Sequence, residues 1–332
     1  MARIGVIGAG SWGMALAKVL GENGHHVTIW ARRPELVAEL STKRQSADYL
    51  PGVTLPTSLH FTANLDEATH EAAFLLLVTP SHGLRAVVQQ FRSLSSGAIV
   101  ISSVKGIETD TLLRMSQVIA TLLGDSISVV VLSGPSLATE VANHIPTAVV
   151  AAGNDLAAAK AVQEIFMNPY FRVYTHHDVV GVELGGALKN IIALAAGIVD
   201  GAGFGDNTKA ALMTRGLVEI TRLGTKLGAD PMTFAGLSGM GDLFVTCMSR
   251  KSRNRHVGEQ IGRGRKLEEI LHEMMMVAEG VRTTQAAYRL AQLHNVEMPI
   301  TTEVHRVLFE NKDPKQAVSD LMTREAKREK FG

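Results

Sequence analysis

The chain has 332 residues, 46% of them hydrophobic and 20% charged, with acids and bases interspersed to a net charge of +1. That composition allows two packed domains and excludes both a disordered chain and the broad electrostatic field that would hold nucleic acid or an anionic membrane. The single cysteine, Cys247, has no disulfide partner within the chain, and the twelve histidines show no zinc-type spacing, so no metal site and a reducing compartment are expected.

Residues 3–13 read RIGVIGAGSWG, a short apolar run ending in Gly8-x-Gly10-x-x-Gly13 and passing into the helical pattern of residues 14–20. In a strand-to-helix turn of this kind Gly8 permits the tight bend, Gly10 lets the backbone approach a pyrophosphate, and Gly13 lets helix and strand pack closely. With 31 glycines the bare triplet would arise roughly 0.3 times by chance, so its weight comes from context: a strand before, a helix after and a second strand at residues 27–31. An NAD site usually ends that second strand with an acid for the ribose 2′-hydroxyl. Here the place holds Ala31-Arg32-Arg33, two guanidiniums that can pair with a 2′-phosphate or stand solvated before Pro34. NADP(H) is favoured over NAD(H), with use of both open.

Apolar runs of strand length follow at 74–79, 98–103, 128–132, 147–152 and 171–174, alternating with helical or loop segments. This pattern predicts a doubly wound α/β sheet covered on both faces. Beyond residue 178 the chain reads as amphipathic helices between Gly-rich turns, placing a Rossmann-type nucleotide domain at 1–178 and an all-helical domain at 179–332. Met274-Met275-Met276 reads as core filling at a helix end, and the charged segment 323–330 as a surface helix or frayed tail. Met1 leads straight into the first strand without a signal peptide, and apolar stretches such as 72–78 are too short to span a bilayer, so a cytoplasmic protein is expected.

Several residues have the chemistry of a reaction site. The helix predicted at 179–199 carries Lys189 on a face with Gly185, Gly186 and Ala193; two helix glycines cost about 1 kcal/mol each, which implies close approach by a ligand or another backbone. Lys189 is there either a snorkelling surface lysine or a desolvated amine of depressed pKa, suited to proton exchange with a carbonyl oxygen. Lys105 follows the strand at 98–103, on the sheet edge where α/β proteins place ligands, and the turn Ser133-Gly134-Pro135-Ser136 ends the next strand at that edge. Ser238-Gly239-Met240-Gly241-Asp242 either presents a carboxylate to Lys189 or caps a helix. Ser252 as an N-cap with Arg253 would make a phosphate site, against a plain solvated basic cluster. Glu279 is ambiguous alone, and Cys247 reads as packing.

Taken together, GAGSWG at 8–13, SVKGIE at 103–108, SGPSLATE at 133–140, VELGGALKNIIALAAGIVDGAGFGDNTKAALMTRG at 182–216, GMGDL at 239–243, SRNR at 252–255 and VAEGVRT at 277–283 resemble the bacterial NAD(P)-dependent sn-glycerol-3-phosphate dehydrogenases over essentially the whole chain. The resemblance implies a second domain like the C-terminal one of 6-phosphogluconate dehydrogenase, and reduction of dihydroxyacetone phosphate to sn-glycerol 3-phosphate for glycerophospholipid synthesis by a cytoplasmic homodimer. It implies Ser11, Trp12, Arg32, Arg33, Tyr49, Lys105, Ala138, Arg253, Val277 and Glu279 as cofactor contacts. Lys189 becomes the proton donor and acceptor, supported by Lys105 and Asp242, and Lys105, Gly134, Ser136, Lys189, Asp242, Ser252, Arg253 and Asn254 become substrate contacts. The alternatives are a related two-domain reductase of a 2-oxo or 3-hydroxy acid, and a dinucleotide sensor without turnover.

Overall fold

The computed structural model describes all residues except 93, 125, 327 and 330–332. The chain divides into two compact units, Met1–Val104 with Met115–Val179, and Lys105–Arg114 with Val180–Gly332. The ten residues from Lys105, read from sequence as part of the nucleotide domain, thus group with the helical unit.

The first unit is built on one eight-stranded sheet: β1 Arg3–Ile7, β2 His26–Trp30, β3 His60–Thr62, β4 Phe74–Leu77, β5 Ile99–Ser102, β6 Ser128–Ser133, β7 Thr147–Gly153 and β8 Phe171–His176. Their order is β3-β2-β1-β4-β5-β6-β7-β8. The central strands are buried on both faces, as in the 0% exposure of Val6, Leu75, Leu76, Val100 and Ile101, which accounts for near-continuous apolar runs instead of alternation. All neighbours are parallel except β6 and β7, which run antiparallel with Ser133 opposite Val150. Only the five-residue helix Ala138–Ala142 lies between them; rising about 1.5 Å per residue, it cannot carry the chain back across the sheet. β7 therefore starts from the edge at which β6 ends.

The second unit is helical, with Val179–Gly201 running through its core. Gly197 and Gly201 of this helix meet the helix Arg253–Gly262 at its own Gly258 and Gly262. A Cβ at Gly197 would stand 2.0 Å from the Arg255 carbonyl oxygen, and one at Gly258 2.0 Å from that of Leu194. Such backbone contact needs small residues on both helices, and it brings the start of Arg253–Gly262 against the middle of the long helix.

Two expectations need correction, and a third falls partly outside the described residues. Val179–Gly201, with 23 residues and an 18-residue window of mean hydropathy 1.6, is long and apolar enough to cross a membrane, so the chain does contain such a stretch; that window is buried in protein, which is where its apolar surface is used. In the methionine run Met274 packs on the helical core while Met275 is 69% exposed, so the run is not uniformly core. In the segment 323–330, residues 327 and 330 lie outside the described residues, and the others form turn or irregular backbone after the helix Pro314–Met322.

Candidate active site

In the sheet unit, the turn after β1 is main-chain architecture. Gly8 has φ +125°, a region that disfavours side chains, and a Cβ there would lie 2.9 Å from the Val78 carbonyl oxygen beyond β4. The turn therefore sits where the strand order reverses between β1 and β4, the ligand position of open α/β sheets. A Cβ at Gly13 would be 1.9 Å from the Gly8 carbonyl oxygen, whereas one at Gly10 would meet nothing within 4 Å. Gly10 is the N-cap of the helix Ser11–Glu22, whose first turn carries no acid. Open space over a helix start with its positive dipole end fits the pyrophosphate of a dinucleotide.

Around this turn the side chains are braced. Ser11 Oγ donates to the Tyr49 carbonyl oxygen, and Trp12 Nε1 donates to Ser103 Oγ at 2.7 Å. Arg33 caps the helix Pro34–Lys43, donates to the Tyr49 hydroxyl at 3.1 Å and lies 5.8 Å from its ring centroid, while Arg32 is exposed. Two cations and no carboxylate after β2 fit a 2′-phosphate better than a 2′-hydroxyl. Gly134, at φ +138°, turns the chain tightly against Val149 of β7; Ser136 Oγ donates back to its carbonyl oxygen at 2.9 Å, and Ala138 opens the next helix.

In the helical unit, three residues far apart in sequence converge. Lys189 Nζ donates to Asp242 Oδ1 at 2.5 Å, and Lys105 Nζ donates to Asp242 Oδ2 at 2.5 Å, so each carboxylate oxygen holds one ammonium. Asp242 is 1% exposed and the Lys189 side chain 7%, against 20% for Lys105. Asp242 opens the helix Asp242–Met248, directly after a π-helical turn at Leu237–Gly241. That sequence presents a carboxylate at a helix start, and the Asp242 amide also closes the π-helical turn by donating to the carbonyl oxygens of Gly239 and Leu237. The glycine-notched face beside Lys189 receives this turn: a Cβ at Gly185 would stand 2.7 Å from the Ser238 carbonyl oxygen. The close approach is by another backbone.

Thr246 is the residue that sequence reasoning missed. Its hydroxyl donates to the Asp242 carbonyl oxygen at 2.6 Å, leaving a lone pair for Lys189 Nζ at 2.5 Å. The signal was its position, one helical turn after Asp242 on the same face. An ammonium has three N–H donors, of which Asp242 and Thr246 take two. Burial, reinforced by the neighbouring Lys105 cation and opposed by Asp242, brings the Lys189 pKa down to about 8. The amine can therefore give and take a proton near neutrality. Burial pushes the Cys247 thiol up to about 12, so this cysteine is packing and not a nucleophile.

The basic turn lies in the same unit. Ser252 is the N-cap of Arg253–Gly262, its Oγ accepting from the Arg255 amide at 3.2 Å. Arg253 is solvent-accessible, and Glu279 is the carboxylate that acts on it. Asn254 is buried, donating to Asn190 Oδ1 at 2.9 Å and accepting from the Gly280 amide at 2.9 Å. It ties the residue beside Lys189 to the start of the helix Glu279–Leu293, which Val277 precedes. Arg255 is held by Asp200 at 2.6 Å, and Asp200 also receives Lys209 at 2.7 Å. Among the described residues no group of three or more His, Cys, Asp or Glu side chains is arranged to hold a metal ion.

A family model described as the N-terminus of NAD-dependent glycerol-3-phosphate dehydrogenase matches residues 3–159, and one described as its C-terminus matches residues 178–319. A relative from Geobacter metallireducens named glycerol-3-phosphate dehydrogenase (NAD(P)+) is 55% identical over 331 residues, covering 99% of each chain. One of the same name from Bacillus mycoides is 55% identical over 332 residues, covering 99% of this chain and 98% of that one. The crystal structure of glycerol-3-phosphate dehydrogenase from Coxiella burnetii superposes with a TM-score of 0.94 at 39% identity, covering 97% of this chain and 99% of that chain. The chain belongs to the NAD-dependent glycerol-3-phosphate dehydrogenase family.

Proposed function

We propose that this chain catalyses the reversible NAD(P)H-dependent reduction of dihydroxyacetone phosphate to sn-glycerol 3-phosphate, the precursor of glycerophospholipids, with Lys189 as the proton donor and acceptor. The observation that carries this reading is the buried Lys189 amine, held by Asp242 and Thr246 and tuned to about 8. A bound nicotinamide supplies hydride to the substrate C2 in one direction and takes it back in the other. As negative charge develops on the C2 oxygen, the Lys189 ammonium gives it a proton and is left as a neutral amine; in alcohol oxidation the neutral amine takes that proton. Asp242 aims the amine, while Lys105 adds a second positive charge beside the reacting oxygen. Preformed cations stabilise the developing alkoxide more than the ground-state ketone, as catalysis requires.

Ser252, Arg253 and the helix start that follows them are assigned the substrate phosphate, and the family resemblance adds Gly134, Ser136 and Asn254 as substrate contacts. The Gly8 to Gly13 turn takes the pyrophosphate, and Arg32 with the Tyr49-braced Arg33 supports a preference for NADPH. The family resemblance extends the proposal to a homodimer in the cytoplasm, for which sedimentation velocity and cell fractionation are the tests. For the activity, NADPH absorbance is followed with dihydroxyacetone phosphate and with unphosphorylated dihydroxyacetone. Turnover is expected with the phosphate ester, and kcat/KM about 100-fold lower without it, the worth of one or two charge-assisted hydrogen bonds. Equal rates would show that no phosphate is recognised, and no NADPH consumption with either would overturn the enzyme reading.

A further inference from the structure

We propose that the Arg114–Glu183 ion pair is a positioning pair for Lys105: it fastens the Lys105–Arg114 segment to the long helix Val179–Gly201, so that the Lys105 amine reaches the Asp242 carboxylate. This rests on the reading of Lys189 as the proton donor. Lys105 follows β5, yet its segment groups with the helical unit. The segment is internally braced: Ile107 and Arg114 form an antiparallel bridge, the Glu108 amide donates to the Leu113 carbonyl oxygen at 2.9 Å, and the Leu112 amide donates to that of Glu108 at 2.9 Å. Thr111 Oγ1 donates to Glu108 Oε2 at 2.5 Å, and Leu112 takes the left-handed conformation at φ 61°. A loop closed in this way moves as one piece, and Lys105 stands only two residues from the bridge.

Three anchors hold it to the helical unit. Ile107 is 2% exposed within the helical core, Arg289 donates to the Thr109 carbonyl oxygen, and Arg114 Nη1 donates to Glu183 Oε2 at 2.7 Å. Of these the ion pair commands the largest energy, because Glu183 is 3% exposed and a buried carboxylate deprived of its cation is strongly destabilised. The pair lies at the end of the segment opposite Lys105, where it fixes the register of the whole loop.

Asp242, Lys105 and Cys247 act electrostatically on the Lys189 amine, and Lys105 lowers its proton affinity. A loosened Lys105 therefore raises the pH at which ketone reduction fades. This gives a readout that a merely structural role would not move. With folded enzyme and both substrates saturating, Lys105→Met is expected to shift the alkaline limb of ketone reduction upward by about one pH unit. Arg114→Gln and Glu183→Gln are each expected to shift it in that same upward direction, although the two substitutions remove opposite charges. Arg114→Met combined with Glu183→Met replaces the pair by apolar side chains, a change that buried ion pairs often tolerate, and is expected to give the same upward shift at near-normal thermal stability.

Shifts of opposite sign in the two glutamine variants would mean that each acts through its own charge, and would overturn the proposal. So would a wild-type limb in the folded double methionine variant while Lys105→Met shifts. Failure of Lys105→Met itself to move the limb would instead overturn the underlying coupling of the two amines, and the positioning role with it.

Discussion

In the sheet unit the candidate ligand contacts are mostly main chain, whereas in the helical unit they are charged side chains held by one another. The turn after β1 needs no functional group: Gly8 and Gly13 have no room for a Cβ, and Gly10 leaves open the space that a pyrophosphate would enter. The helical unit buries a carboxylate and an amine, braces them with Thr246 and adds a half-buried second lysine, an assembly that costs desolvation and is held by its pairing. A backbone cradle binds without changing charge state. A buried cluster with one carboxylate between two amines can transfer a proton, because its charge balance sets the proton affinity of Lys189.

The contrast is sharpest at Lys189. Lys189→Ala is expected to lower turnover by about 1,000-fold, within the range for loss of a general acid, while NADPH affinity measured by fluorescence titration stays unchanged. Equal loss of both would erase the division of labour. Next in size, Arg253→Ala is expected to raise KM for dihydroxyacetone phosphate about 30-fold, with a smaller change in kcat, as befits a charge-assisted hydrogen bond to phosphate. An unchanged KM would put the phosphate elsewhere. The smallest effect is expected in the cradle. Gly10→Ala adds one methyl group to open space and is expected to leave the melting temperature unchanged while weakening cofactor binding about 10-fold, or about 1.4 kcal/mol. Gly13→Ala, with its Cβ 1.9 Å from the Gly8 carbonyl oxygen, is expected to lower the melting temperature as well. If both behaved alike, the distinction between ligand space and packing space within the glycine triplet would fail.

These differences also explain what was legible beforehand. A main-chain site is written in consecutive residues, so GAGSWG announced its turn, and the apolar runs announced seven of the eight strands. The missing strand, β3, has three residues, His60-Phe61-Thr62, at the edge of the sheet, too short to show a pattern. The antiparallel step at β7 was hidden because direction depends on the length of the connection, not on the strand. Lys189 and Asp242 were visible as anomalies in helical surroundings, with Asp242 as the partner of Lys189 one of two readings. What decides between those readings, and brings in Thr246, is how distant segments pack. The placement of Lys105 was obscured in another way: by chain position it belongs to the sheet, but Ile107 and Arg114 fasten its segment to the helices. The paired Gly197–Gly201 and Gly258–Gly262 spacings were in plain view, and they mark the helix contact that brings the Ser252 cap toward the residues around Lys189.

The central claim, that a buried amine of depressed proton affinity exchanges the proton, is tested most directly by the pH dependence of kcat in both directions. Ketone reduction needs the ammonium and is expected to fall as pH rises through about 8; alcohol oxidation needs the neutral amine and is expected to rise through the same pH. Asp242 favours the ammonium, so Asp242→Asn is expected to move both limbs to lower pH. Limbs that do not mirror each other near 8, or that stay in place in Asp242→Asn, would contradict the account.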